Sequence, residues 1–414
     1  MSDLARESTR RSRGITAEEL RRHNLSAVLD RLHLRGPQSR SHLAAETQLN
    51  RSTIRDLISE LADLGLVTEG EGTTSGSPGR PSTVASTRPQ GAVVLAVELE
   101  VDSTAAATIG LGGHIFEKAR IANEAGGTNP QQMIKGMARL VAPMLRSLPA
   151  DHTLAGVGVA VAGVVHREDG YVHVAPNLGW SSLPLGDMIS KELDVDRVMM
   201  ANEADIGALA EYRRGAGRGA RDMIFVAGEV GVGIGVIHDG KPMLGASGYA
   251  GEAGHTVINP AGSQCRCGSV GCWETEVGEE ALARHTGIIG VEARKGLVEE
   301  VLRRAHAGDA RTFQAFNEIG KWLGVGIGNL INTFNPDRIV IGGFFHQLFP
   351  FLEETIDQSA ERTALAAPWE ACSIVRSELG LDARLIGAAE LVLSDVIANL
   401  TSFPAVAGAS ARGW

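Results

Sequence analysis

The sequence predicts a mixed α/β protein: a small three-helix unit with a wing-like hairpin, followed by a larger, two-lobed α/β body. Three observations predict it. Residues 1–90 carry three short helical patterns, then a strand and a Gly/Ser/Thr-rich loop. From Gly91 onward strands and helices mix over a length that suits two sheet-based lobes. The charge also divides there: residues 1–90 hold 13 Arg, no Lys and 11 acidic residues, a net of +2, whereas the remainder carries −12.

The 414 residues exceed one ordinary core. A composition of 43% hydrophobic and 21% charged residues is that of a soluble chain. No apolar run reaches the roughly 18 residues of a membrane span, and the polar, Arg-rich start lacks the apolar core of a signal peptide. A cytoplasmic protein is expected, nucleoid-associated when on DNA. An acidic body repels DNA, so any DNA contact belongs to the basic first segment. Arg6, Arg10, Arg11 and Arg13 form an N-terminal arm that reads equally as a DNA contact or a solvated tail.

Leu25, Val28, Leu29 and Leu32 recur at helical spacing and make one apolar face, which Gly36-Pro37 ends. Ser39 can cap a second helix carrying Leu43 and Ala44, and Asn50 a third carrying Ile54, Leu57, Ile58, Leu61 and Leu64. Leu66–Thr68 reads as a strand, and 70–81 as a hairpin tip or linker. The set fits a winged helix-turn-helix. In the third helix Arg51, Ser52, Thr53, Arg55 and Ser59 remain off the apolar face. Arg51, Ser52, Thr53 and Arg55 sit at or near the helix N-terminus, the end that meets base edges in such motifs. Arg can hold guanine by two hydrogen bonds, and Ser or Thr can hold phosphate. Arg80, in Gly79-Arg80-Pro81, suits a narrow minor groove, although the same stretch also reads as a plain interdomain linker.

In the body, Val93–Val101 and Thr104–Ile109 read as strands and a third surrounds Ile115. Met133–Leu148 is a helix and Gly156–Val165 a buried strand. The pattern continues through Asp222–Ile237, a helix-rich stretch from Glu279 to Phe334, and a strand at Arg338–Ile341. No sequence repeat is visible. His255, Cys265, Cys267 and Cys272 supply one imidazole and three thiolates, a closed tetrahedral set suited to one structural Zn²⁺ per chain. Three cysteines within eight residues of a cytosolic chain favour metal over disulfides. Gly231-Val232-Gly233-Ile234-Gly235 follows a strand but lacks dinucleotide-loop spacing, and is weak support for phosphate binding.

Residues 20–400 resemble the ROK family, which groups bacterial repressors, open reading frames and sugar kinases. The resemblance rests on Asn202-Glu203-Ala204, Gly215–Gly219, Gly231–Gly235, Gly251-Glu-Ala-Gly-His255, Cys265–Glu274 and Asn335–Gly343, in that order. It implies an actin-like, ribonuclease-H-like body with a sugar between the lobes. By position, the sugar contacts it implies are Asn177, Asn202, Glu203, Glu252, His255 and Glu274. The N-terminal winged helix marks the regulator branch, so double-stranded operator DNA and a small-molecule sugar effector are the implied partners, and operator symmetry favours a homodimer or homotetramer.

The chain departs from the family's kinases where phosphate is handled. Their Asp-x-Gly-Gly-Thr-Lys run reads Glu98-Leu99-Glu100-Val101-Asp102-Ser103 here, and their Gly-Thr-Gly reads Glu229-Val230-Gly231. Glu203 replaces the Asp base, and a shift of about one ångström there can cost about 10²-fold in rate. Glu100 and Glu229 add bulk and negative charge where glycines let backbone N–H groups approach phosphate. The expected protein is therefore not an enzyme but a sugar-responsive regulator, most simply a repressor. The alternative is a ROK sugar kinase with an appended DNA-binding domain. The expected organisation is a basic arm at 1–16, a winged helix-turn-helix at 17–75 and a wing end or linker at 76–90. A first lobe follows at 91–200 with a returning helix at 385–400, and a second lobe with the zinc site and cleft spans 201–384.

Overall fold

The computed structural model describes residues 16–71, 83–123, 129–167, 169–288 and 296–400. Three helices open it: α1 (Ala17–Arg35), α2 (Arg40–Thr47) and α3 (Arg51–Asp63). As expected, Ser39 Oγ accepts the His42 N–H at 3.2 Å to start α2, and Asn50 Oδ1 accepts the Thr53 N–H at 2.8 Å to start α3. Helix α1 begins eight positions before its apolar stripe. Its first two turns bury nothing, so hydrophobic periodicity does not detect them. A capping box marks the start instead: Glu19 N–H donates to Thr16 Oγ1 at 3.1 Å and Thr16 N–H donates to Glu19 Oε2 at 2.7 Å.

Strands β1 (Gln38–Ser39), β2 (Val67–Glu71) and β3 (Thr83–Thr87) complete a winged helix-turn-helix as an antiparallel sheet in the order β1-β3-β2. The two-residue β1 is too short to leave a pattern in the sequence. Arg80 and the arginines of the N-terminal arm lie outside the described residues.

The first lobe is built on β4 (Val93–Leu99), β5 (Ser103–Gly110), β6 (His114–Ala122), β7 (Leu154–Val161) and β11 (Val198–Asn202), ordered β11-β7-β4-β5-β6. Alternate residues face opposite ways. Leu95 and Val97 pack under α4 (Pro130–Arg146) and α5 (Leu185–Leu193), while Val94 and Ala96 pack under the last helix, α13 (Ala383–Ala398). The buried run expected over 156–165 divides into β7 and β8 (Val164–His166). The latter joins β9 (Tyr171–Ala175) and β10 (Trp180–Leu183) in a small side sheet.

The second lobe repeats the plan. Strands β12 (Met223–Gly228), β13 (Val232–His238), β14 (Lys241–Pro242), β15 (Arg338–Gly343) and β16 (Ser373–Arg376) are ordered β14-β13-β12-β15-β16. In both sheets three antiparallel strands in sequence order are followed by two parallel ones. The duplication lives in topology, which explains its invisibility in the residues. Helix α6 (Glu203–Arg214) covers one face. The other face carries α10 (Ala310–Phe334) and α11 (Phe344–Thr363), with α7 (Trp273–Val277), α8 (Glu279–Thr286) and α9 (Leu297–His306) in the same core and Trp369 of α12 (Ala366–Ala371) packed against it.

The winged unit is no tethered bead. Its core residues Leu25, Leu29, Leu32, Ile54 and Leu61 belong to the same apolar cluster as Leu385, Val392 and Val396 of α13. No described helix is long and apolar enough to cross a membrane.

Candidate ligand cleft and metal centre

Strand β11 runs into α6 at Asn202, where the cleft between the lobes opens. Asn202 caps the helix: Oδ1 accepts the Ala204 N–H at 2.8 Å, and Nδ2 donates to Gly163 O at 3.0 Å. One amide hydrogen and one lone pair remain for a ligand. Glu203 follows, with Oε2 buried and unpartnered. Burial first, and then the Glu229 charge, push its carboxyl up to about 8. Asn177 and Glu203 line one cavity of about 190 Å³. Asn202 and Glu252 line a second of about 30 Å³, with Asp205 and Tyr249. The second holds about one water and no sugar. Tyr249 Oη and His173 Nε2, hydrogen-bonded at 2.5 Å, join the two lobes beside it. Glu252 is exposed at the rim; partial loss of water raises its carboxyl, opposed by His255.

His255 and Glu274 stand at the thiols. The potential ligand atoms of His255, Cys265, Cys267 and Cys272 all lie within 4.8 Å of one another. Cys267 Sγ is 3.6 Å from Cys272 Sγ, and His255 Nδ1 is 3.6 Å from Cys265 Sγ. A tetrahedron with Zn–S of about 2.3 Å has S···S edges of about 3.8 Å, so the set fits such a metal. His255 turns Nδ1 to the thiols and keeps Nε2 for other partners. Glu274 Oε1 is 3.0 Å from Cys265 Sγ and 3.4 Å from His255 Nδ1, which places this carboxylate against the cluster. Trp273, fully buried, anchors the knuckle by donating Nε1–H to Trp322 O of α10 at 3.1 Å.

The glycine run has a packing explanation. A Cβ at Gly231 would stand 2.1 Å from Glu274 Oε2, and one at Gly235 would stand 2.4 Å from Ala204 O. These glycines seat the Glu274 carboxylate and let α6 lie close on β13.

At the far end of the cleft, Arg384 of α13 is ringed by carboxylates. It pairs with Glu98, with Glu229, and with Glu100 at 2.6 Å. Arg120 adds bonds to Glu98 Oε2 at 2.8 Å and Glu100 Oε2 at 2.6 Å. Even so, burial lifts the Glu98 carboxyl to about 7, with Arg384 the main opposing influence. Sequence reasoning found the three glutamates as substitutions of phosphate-loop positions but missed Arg384, which lies 284 residues from Glu100. The signal was indirect: buried acids at successive cleft positions require a cation.

The ROK family profile matches residues 94–395. The chain belongs to the ROK family. This ROK chain is 31% identical over 383 residues to the xylose repressor of Caldicellulosiruptor bescii, covering 88% of this chain and 93% of that one. A solved ROK family transcriptional regulator, described as a homologue of the E. coli MLC protein, superposes with a TM-score of 0.75 at 26% identity, covering 92% of this chain and 98% of that one. A ROK family glucokinase from Streptomyces griseus, in complex with glucose and AMPPNP, superposes with a TM-score of 0.63 at 28% identity, covering 72% of this chain and 98% of that one. The fold is therefore the two-lobed actin-like ROK body preceded by a winged helix-turn-helix.

Helix α3 of this ROK chain presents Arg51, Ser52 and Arg55 to solvent, with Thr53 half-buried. Ser52 Oγ is held by Asn50 Oδ1 at 2.6 Å, and Arg55 Nε by its neighbour Asp56 at 3.1 Å. Elsewhere in the unit Arg21 pairs with Glu60, Arg31 with Glu46 and Arg40 with Glu69. Arg51 makes no ion pair among the described residues, which leaves its guanidinium available.

Proposed function

We propose that this ROK chain is a sugar-responsive transcription regulator and acts as a repressor. Its winged unit holds operator DNA through Arg51, Ser52, Thr53, Arg55 and Arg80. An unphosphorylated sugar binds in the cleft against Asn177, Asn202, Glu203, Glu252, His255 and Glu274. One structural zinc ion per chain, held by His255, Cys265, Cys267 and Cys272, stiffens that wall through His255. Two-fold operators favour a dimer or tetramer.

The observation that carries this reading is the Arg384 cluster. A phosphoryl donor needs room and uncommitted positive charge at the end of the cleft. Here the cation is already shared among Glu98, Glu100 and Glu229. The same acidic surroundings oppose a sugar phosphate. Likeness to the xylose repressor along most of the chain supports the regulator reading. The kinase reading draws on the glucokinase likeness and on Glu203, whose carboxyl near 8 is that of a base. A thermal-shift panel of sugars and their 6-phosphates tests the site, because a ligand that binds only the folded state raises its apparent stability. Parent sugars should stabilise the protein and the phosphates should not. ATP-dependent phosphorylation of any stabilising sugar would overturn the regulator-only reading.

A further inference from the structure

We propose that α6 carries the effect of the sugar to the winged unit, with Arg213 and Arg214 as its contacts on α1. The inference rests on the sugar-responsive reading above and names the residues through which that site is regulated. Helix α6 starts in the cleft at Asn202 and Glu203. Its 12 residues span about 18 Å, so it ends well outside the cleft. There Arg213 and Arg214 enter a charge cluster that the cleft chemistry does not need. At its centre is Glu390 of α13, 1% exposed. Arg213 Nε donates to Glu390 Oε2 at 2.7 Å, and Arg214 Nε donates to Oε1. From the winged unit, His33 Nε2 lies 3.0 Å from Glu390 Oε1, and Asp30 accepts Arg213 Nη2–H at 2.5 Å. Arg214 also donates to His33 O at 3.3 Å and Gly112 O at 3.2 Å. Burial alone would raise the Glu390 carboxyl. His33, Arg214 and Arg213 instead hold it well below the usual carboxylate range, so the cluster stays charged.

The cluster lies where three bodies meet. Helix α6 packs on the second sheet, α13 packs on the first, and the two helices pack on each other. They approach so closely that a Cβ at Gly387 of α13 would stand 2.1 Å from Ile206 O of α6. Any change in the angle between the sheets must therefore slide α6 along α13, as packed helices do in shear motions. A sugar that reaches Asn202 and Glu252 needs such a change, because the cavity there is about 30 Å³ and Tyr249 and His173 bond the lobes beside it. The winged unit stays with the first lobe through the apolar core that α1 shares with α13. When α6 slides, Arg213 and Arg214 shift against Asp30 and His33, and a multiply hydrogen-bonded charge cluster is either made or broken. The equilibrium at the cleft thereby becomes an equilibrium in how α1, and α3 with it, is seated.

The test uses the full-length protein and a labelled duplex selected by it from a random-sequence pool. The probes are D-xylose, D-glucose and N-acetyl-D-glucosamine, each at saturation. The readout is the ratio of the duplex Kd with and without sugar, alongside the sugar Kd of DNA-free protein. In the wild type a responding sugar changes the duplex Kd by about 5- to 150-fold. Asp30→Asn and Arg213→Gln should shrink that change by about 2- to 30-fold while both proteins still bind the sugar. Asp30→Glu should restore it. Asp30 is half-exposed, so Asp30→Asn carries the test alone if Arg213→Gln does not fold. Folded, sugar-binding variants that keep the full wild-type change overturn the relay and leave the sugar-responsive reading standing. A wild type whose duplex Kd responds to none of the sugars overturns that reading, and the relay with it.

Discussion

The two ends of the cleft are built on opposite plans. At the candidate metal end, the set that could hold an ion comes from one short segment, His255 to Cys272, and its ligand atoms converge to within 4.8 Å of one another. At the other end, the partners of Arg384 come from β4, the β4–β5 turn and the β12–β13 turn, and they tie up the one cation that lines that cavity among the described residues. At the first end His255 keeps Nε2 for other partners; at the second the Arg384 charge is met by the chain's own carboxylates. On the function proposed above, a scaffold shared with kinases keeps a place for a sugar while charge pairing, rather than a blocking side chain, closes the place for a phosphate.

The largest expected effect lies at the metal end. Structural zinc sites contribute about 10–16 kcal/mol of apparent binding energy in peptides, and much of that is folding energy. Cys272→Ala, at a fully buried ligand, should abolish stoichiometric zinc in elemental analysis and lower the melting temperature by many degrees. Full zinc occupancy in this variant would contradict the ligand assignment. The other end should cost less. Arg384→Ala removes the cation that Glu98, Glu100 and Glu229 share and leaves Arg120 to Glu98 and Glu100, and breaking a buried pair of this kind costs about 3–5 kcal/mol. Denaturant melts should show that loss at pH 8 and a smaller one at pH 6, where protonation relieves the stranded acids.

Smaller again is the effect expected at α3 in the winged unit. Arg51→Ala should weaken binding to the selected duplex by about 1–3 kcal/mol if the contact is bidentate. Zinc content should not change. Unaltered affinity would remove Arg51 from the DNA contacts.

The last effect is a slope with pH rather than a single loss. Glu203 holds its proton in the folded state up to about pH 8 and Glu98 to about pH 7, against 4.5 for an ordinary Glu. Between those values the folded protein binds more protons than the unfolded chain. Stability is therefore retained at the low-pH side and lost as pH rises through the window, at up to roughly 1.4 kcal/mol per pH unit for each group. Denaturant melts from pH 6 to 8.5 should show the decline, and Glu203→Gln should flatten it. An undiminished slope in that variant would mean that the Glu203 carboxyl is ionised throughout.

Much was legible in the residues because it is local. Ser39 and Asn50 announce the starts of α2 and α3, since a cap acts within three residues. The cluster of His255, Cys265, Cys267 and Cys272, which could hold a metal, announces itself because few residue types supply such ligands at close spacing. The order of the family motifs carried the two-lobed body. What the residues alone did not decide depends on distance along the chain. The repeated sheet plan is a pattern of strand pairing, and unrelated apolar residues satisfy it equally well. Glycine at 231 looks like a phosphate loop until Glu274 is folded against it. Arg384 and Glu100, or Arg213, Glu390 and Asp30, are ordinary surface residue types in sequence. Only packing α13 between the first sheet, α6 and α1 draws Arg384, Arg213 and Glu390 out of water, with Glu100 and Asp30 partly exposed beside them, and that turns scattered charges into specific pairs.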